Sequence, residues 1–106
     1  MVDDMKIGIV GAAGRMGQMC VRQVSEWQGC SVSGATEVSG HSALGHDAGE
    51  VSGIGNIGVP LTADSEKLVA DADAIIDFTS PAGTVSHANL CMREGTALIA
   101  GTTGLS

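Results

Sequence analysis

The stretch "KIGIVGAAGRMGQM", Lys6–Met19, decides how the rest of the chain reads. Lys6–Val10 is a short apolar run bounded by glycine, which suits a strand covered on both faces. Gly8, Gly11, Gly14 and Gly17 crowd into ten residues, and glycine at that density weakens any element it occupies. The backbone there must turn tightly or approach something closely. From Arg15 to Gln28 the apolar residues Met16, Met19, Cys20, Val24 and Trp27 recur at helical spacing, which predicts an amphipathic helix with those residues facing inward. Gly29 ends it, and Ser31–Thr36 reads as a second strand. Strand, glycine turn, helix and strand within about thirty residues make a βαβ unit with a right-handed crossover.

Beyond that unit the alternation continues. Val38–Ile57 is irregular and glycine-rich, with one helical turn expected near Asp47–Val51; loops of this length tend to be functional. "GVPLTA", Gly58–Ala63, predicts a short strand, and Pro60 suits the sheet edge. Asp64 or Ser65 caps a short helix running to about Asp71. "ADAIIDFT" supplies a central strand, Ser80-Pro81 opens a helix through Arg93 closed by Gly95, and "TALIA" is the last strand. The expected fold is α/β: a Rossmann-like, doubly wound, mostly parallel sheet with helices on both faces.

Composition narrows the function. The 106 residues are 43% apolar and 16% charged, enough for one domain, 1–106, with a modest core. Aromatics are limited to Trp27 and Phe78, so the core is expected from Val, Ile, Leu, Ala and Met, with Met16, Met19 and Met92 at helical core positions. A net charge of −7 with scattered Lys and Arg argues against a nucleic-acid partner. Cys20, Cys30 and Cys91 form no C-x-x-C pair, which predicts free thiols and no metal site. No run is long enough to span a membrane, and "MVDDMK" lacks a signal-peptide pattern, so a cytoplasmic protein is expected. His41, His46 and His87 show no metal or triad spacing, and Asp64, Glu66, Asp71 and Asp73 read as a solvated face. Asp77 reads as a structural acceptor of loop N–H groups rather than an acid/base partner of Thr79. The chain stops just after a strand, which predicts that it is one domain of something longer.

Gly11, Gly14 and Gly17 make G-x-x-G-x-x-G at the strand-to-helix junction. Against the more familiar G-x-G-x-x-G, the second glycine is replaced by Ala12 or Ala13, depending on alignment. Gly11 permits a tight turn, Gly14 removes a Cβ near a ligand, and Gly17 lets helix and strand pack closely. Open N–H groups at the helix start, with Arg15 beside them, then face an anion. Glu37 falls twenty residues after Gly17 at the end of the second strand, where a carboxylate accepts hydrogen bonds from the ribose hydroxyls of an adenosine. A bland turn gives the same glycines; the strand before, the helix after and the acid beyond point to a dinucleotide.

At "GAAGRMG", "DFTSPAGTVSHA" and "GTTG", and at "HDAGEVSG" in the long loop, the chain closely resembles the dinucleotide-binding domain of the 4-hydroxy-tetrahydrodipicolinate reductases, from Lys6 to Ser106. The resemblance implies reduction of a cyclic dicarboxylate by NADH or NADPH in diaminopimelate and lysine synthesis, by a homotetramer. It places the pyrophosphate loop on Gly11, Ala12, Ala13, Gly14, Arg15 and Met16, and the ribose acid on Glu37. The stretch beside the nicotinamide falls on Gly101, Thr102 and Thr103, with Phe78 and Thr79 as secondary contacts. Similar proteins that accept NADPH often carry Arg where this chain has Val38 and Ser80, so a preference for NADH is expected, with NADPH as the alternative and His41 able to soften the choice. The family's His-His pair and catalytic Lys lie in a substrate domain beyond Ser106, so no catalytic residue is expected in this chain, which alone should bind cofactor weakly and turn nothing over. The other reading is a non-catalytic nucleotide-binding module, redox-sensing or CoA-binding; a different dehydrogenase of aldehyde or amino-acid metabolism has less reason for "GTTG". A different calorimetric response to NADH and to CoA separates the first two.

Overall fold

The computed structural model describes residues 5–77, 95 and 97–100. Strands β1 (Met5–Val10), β2 (Cys30–Thr36), β3 (Leu61–Thr62), β4 (Ala74–Asp77) and β5 (Ala97–Ala100) form one sheet in the order β3-β2-β1-β4-β5. Every neighbouring pair is parallel. The chain therefore starts in the middle, winds outward through β2 to β3, and returns across β1 to lay down β4 and β5. That reversal between β1 and β4 is a topological switch point, beside which open α/β sheets bind ligands.

Helices α1 (Arg15–Glu26), α2 (Ala48–Val51) and α3 (Ser65–Ala70) make the crossovers among the described residues. Strand alternation splits the core into two layers. Ile7, Ile9, Ala35, Ala74 and Ile76 bury one face with Val21 and Val24 of α1, while Val10 and Ile75 bury the other with Leu68 and Val69 of α3. Burying a Val or Ile side chain is worth about 1.5–3 kcal/mol, so these layers rather than the short helices' own propensity hold the fold. Leu68 settles over the register pair Gly8 and Gly34, where an added Cβ would lie 2.9 and 2.8 Å from its Cδ1. Register slips between Ile7 and Gly8, leaving Ser33 as a bulged residue of β2.

The helix after the glycine turn is rotated from its expected orientation. Met16, Met19 and Trp27 are 44%, 48% and 50% exposed, and the inward residues are Gly17, Val21 and Val24, with Cys20 half-buried. Gly17 must face the turn to let the helix approach it, and its positions i+4 and i+7 follow it inward, carrying the methionines out. α1 also ends earlier than expected, at Glu26; Trp27 is extended and donates its N–H to the carbonyls of Gln23 and Val24. The predicted helix over Ser80–Arg93, with Met92 and His87, lies outside the described residues, as do Phe78, Thr79 and Ser80.

In the long loop the expected helical turn is α2, and Asp47 organises everything around it. Its Oδ2 accepts from the N–H groups of Gly49, Glu50 and Ile57 at 2.9, 3.1 and 2.9 Å, and its Oδ1 from Val59 at 2.8 Å. Burial raises the pKa of this carboxyl, and the four backbone donors outweigh that, holding it below its ordinary 3.8. A depressed folded pKa contributes stability that is complete above the unfolded value and lost as pH falls through the folded one. Asp47→Asn should therefore lower the thermal midpoint by several degrees at neutral pH, with the gap to the unchanged protein closing below pH 3.8. A gap independent of pH in a melting series would rule the charge out as its source.

The four acids of the predicted solvated face are exposed; among them Asp64 caps α3 by accepting from Lys67 N–H at 3.1 Å, and Asp73 accepts from Lys6 N–H at 2.9 Å. No helix among the described residues is long and apolar enough to cross a membrane.

Candidate functional site

The carboxyl ends of all five strands fall in one row. Register pairs Thr62 with Thr36, Thr36 with Val10, Val10 with Asp77, and Asp77 with Ala100. The described residues that follow β1, β2 and β3 share one edge of the sheet. Two belong to the candidate site and are described: Gly11 after β1 and Glu37 after β2. Gly101, Thr102 and Thr103 follow β5 in sequence and lie outside the described residues.

Gly11 takes φ +71°, a conformation that glycine adopts without the penalty of a side chain. Its N–H and that of Ala12 both donate to the Thr36 carbonyl at 3.0 Å, tying the turn to the end of β2. Gly14 closes the turn by donating to the Gly11 carbonyl at 3.0 Å and serves as the N-cap of α1. Gly17 packs directly on the turn: a Cβ there would run into the Gly11 carbonyl oxygen and lie 2.7 Å from Ala12 Cα. The expected division of labour between Gly11 and Gly17 is what the geometry shows.

The start of α1 is electrostatically open. No side chain caps it and its first turn holds no acid, while Arg15 projects exposed from the first position. A cation at the positive end of a helix is unfavourable by about 0.3–1 kcal/mol unless an anion answers it. An approaching phosphate meets the N–H groups of Arg15, Met16 and Gly17, which have no intrahelical partner by construction. Gly14 leaves space on that side, since its own Cβ would come no nearer than 3.4 Å to the Gly11 oxygen.

Glu37 is brought to this loop rather than merely near it. Its Oε2 accepts from Ala13 N–H at 3.0 Å and its Oε1 from Val38 N–H at 3.1 Å, with the side chain half-buried. Each carboxylate oxygen keeps a lone pair for a further donor. Val38 next to it is 67% exposed and offers no charge. Gln18 was not singled out by its sequence position, yet its Nε2 donates to the Ala13 carbonyl at 2.7 Å. A donor one turn into a helix that follows a glycine loop is the signal that would have found it.

The remaining candidates fall to structural roles. Asp77 is fully buried at the end of β4 and engaged. His41 Nδ1 accepts from Ala43 N–H at 2.9 Å, and His46 is exposed. Burial raises the Cys20 thiol pKa, as for a packed thiol rather than a nucleophile. Among the described residues no cluster of His, Cys, Asp and Glu could hold a metal ion. A cavity of about 130 Å³ lined by Ser33, Pro60, Lys67, Leu68 and Asp71, among others, opens against α3 and shares no residue with the glycine loop.

A family described as "Dihydrodipicolinate reductase, N-terminus" matches residues 5–106. Among curated relatives, the 4-hydroxy-tetrahydrodipicolinate reductases of Magnetococcus marinus and Sinorhizobium fredii are 42% and 46% identical over 102 and 103 residues, 96% and 97% of this chain. The chain spans 38% of the length of each. Among solved structures, a dipicolinate-bound dihydrodipicolinate reductase from Paenisporosarcina sp. TG-14 superposes with TM-score 0.73 at 24% identity, over 97% of this chain and 39% of that one. The NADP-bound aspartate semialdehyde dehydrogenase of Candida albicans gives the same score at 13% identity, over 95% of this chain and 30% of its own. Both carry the Rossmann-like fold described above.

Proposed function

Since the chain belongs to the dihydrodipicolinate reductase N-terminal family, we propose that it is the dinucleotide-binding domain of a reductase acting on 4-hydroxy-tetrahydrodipicolinate. The family binds NAD(P)H, and the nicotinamide supplies hydride when bound. This segment's part is to bind and orient the cofactor. A substrate domain elsewhere in the protein receives the dicarboxylate and delivers the proton, giving tetrahydrodipicolinate for diaminopimelate and lysine synthesis in the cytoplasm, with a homotetramer as the working assembly.

The observation that carries this reading is the uncapped start of α1 meeting Glu37 across one glycine turn. Gly11, Ala12, Ala13, Gly14, Arg15 and Met16 cradle the pyrophosphate, with the open N–H groups of Arg15 and Met16 and the Arg15 guanidinium as donors, and the first four residues shaping the turn beneath it. Glu37 receives the adenosine ribose hydroxyls on its free lone pairs. Gly101, Thr102 and Thr103 lie beside the nicotinamide. The same carboxylate sets the choice of cofactor. A 2′-phosphate brings nearly two negative charges and would face Glu37, which two backbone bonds keep from swinging aside, with Val38 supplying no cation. NADH is the preferred cofactor and NADPH the weaker one.

Titration of the protein with NADH, NADPH and coenzyme A tests the reading. NADH should bind most tightly, and pyrophosphate should compete with it. A tighter response to coenzyme A than to either nicotinamide nucleotide would instead favour a non-catalytic nucleotide-binding module.

A further inference from the structure

Both polar groups of the Ala13 backbone are spent on side chains. Glu37 Oε2 takes the N–H at 3.0 Å from the end of β2, and Gln18 Nε2 supplies the carbonyl at 2.7 Å from within α1. The carbonyl is only an acceptor, so the nitrogen end of the Gln18 amide must face it. Gln18 is also fixed at its own backbone, where its N–H donates to the Gly14 carbonyl at 2.9 Å. The next peptide along, at Gly14, is tied to Gly11. A loop built of small residues is thereby held in one conformation by two side chains, one from each side.

We propose that Gln18 is a positioning residue for dinucleotide binding: its amide, opposite Glu37, clamps Ala13 so that the N–H groups at the start of α1 are already aimed before the ligand arrives. The proposal rests on the dinucleotide reading above. Glu37 alone would leave the carbonyl side of Ala13 free to tilt, and the ligand would then have to order the loop at its own expense. Gln18 needs no contact with the cofactor to do this.

The test is an NMR titration of the unchanged protein and of Gln18→Met, with NADH, inorganic pyrophosphate and adenosine. Met has similar length and helix propensity and no donor. One hydrogen bond of ordinary strength predicts about 5-fold weaker binding of NADH and of pyrophosphate, with adenosine unchanged. Ala13 N–H should also exchange faster with solvent in the ligand-free variant. A purely structural role would weaken adenosine as much as NADH. Equal NADH affinity in the variant, or an equal loss for adenosine, overturns the clamp while leaving dinucleotide binding intact. If the unchanged protein binds neither NADH nor pyrophosphate, the dinucleotide reading fails and takes the clamp with it. Should Gln18→Met unfold, Gln18→Lys keeps a donor in reach of Ala13 and should bind NADH at least as tightly as the unchanged protein; weaker binding overturns the clamp.

Discussion

Gly17→Ala should lower stability by about 2 kcal/mol and abolish dinucleotide binding, although alanine is the better helix former. The added methyl meets only backbone: the Gly11 carbonyl oxygen, Gly11 C at 2.8 Å and Ala12 Cα at 2.7 Å. No rotamer relieves a contact of that kind, so the helix and the turn must separate. Overpacking of this sort costs up to about 3 kcal/mol, and the helix-propensity gain returns about 1 kcal/mol. For a domain of this size the difference is roughly 10 °C in the thermal midpoint. Gly14→Ala is the contrasting variant. Its φ of −75° is open to any residue and its Cβ would sit 3.4 Å from the Gly11 oxygen, so the fold should tolerate it while the ligand side of the loop becomes crowded. Calorimetric melting and NADH titration of the two variants should therefore separate a stability defect from a binding defect. Equal melting of Gly17→Ala and the unchanged protein would show that the turn gives way easily.

Cofactor preference should reverse when the charges beside the ribose are rewritten. Val38→Arg places a guanidinium next to an exposed position that now carries none. A charge-assisted hydrogen bond contributes about 1.5–3 kcal/mol, so the ratio of NADPH to NADH affinity should rise about 10-fold. Adding Glu37→Gln removes the repelling carboxylate and, through its amide oxygen, keeps an acceptor for Ala13 N–H; the combined change should approach 100-fold. Comparable affinities for the two nucleotides in the unchanged protein would defeat the argument at its start.

The parts of this molecule set by local pattern are the parts its sequence discloses. Ile7 and Ile9 lie in a short apolar run ended by Gly11, Ile75 and Ile76 in one bounded by Asp73 and Asp77, and the parallel sheet follows from the alternation of such runs with helices. The glycine turn is legible because only a few backbone geometries need glycine at 11 and 17. Orientation of α1 is not, since its contact face is centred on Gly17, which counts for nothing in an apolar pattern, while the exposed Met16 and Met19 count heavily. The helical turn at Asp47–Val51 is visible, but the carboxylate's role is not, since two of its four donors, Ile57 and Val59, stand ten and twelve residues away across glycine-rich chain. The Ala13 clamp is hidden for the same reason. Its two arms come from different elements, and only the crossover of β1 to β2 brings Glu37 within reach.

The four-donor carboxylate of Asp47 has a consequence for how the chain survives damage. Residues 53–56 form an exposed tip, and the donors stand on both sides of it: Gly49 and Glu50 before, Ile57 and Val59 after. A protease that nicks the tip severs the covalent path but leaves each new end moored to the same anion. The cut protein should elute as one particle in neutral buffer, since β1 with β4 and β2 with β3 also join the two pieces, and the new ends should fray first once acid neutralises the mooring.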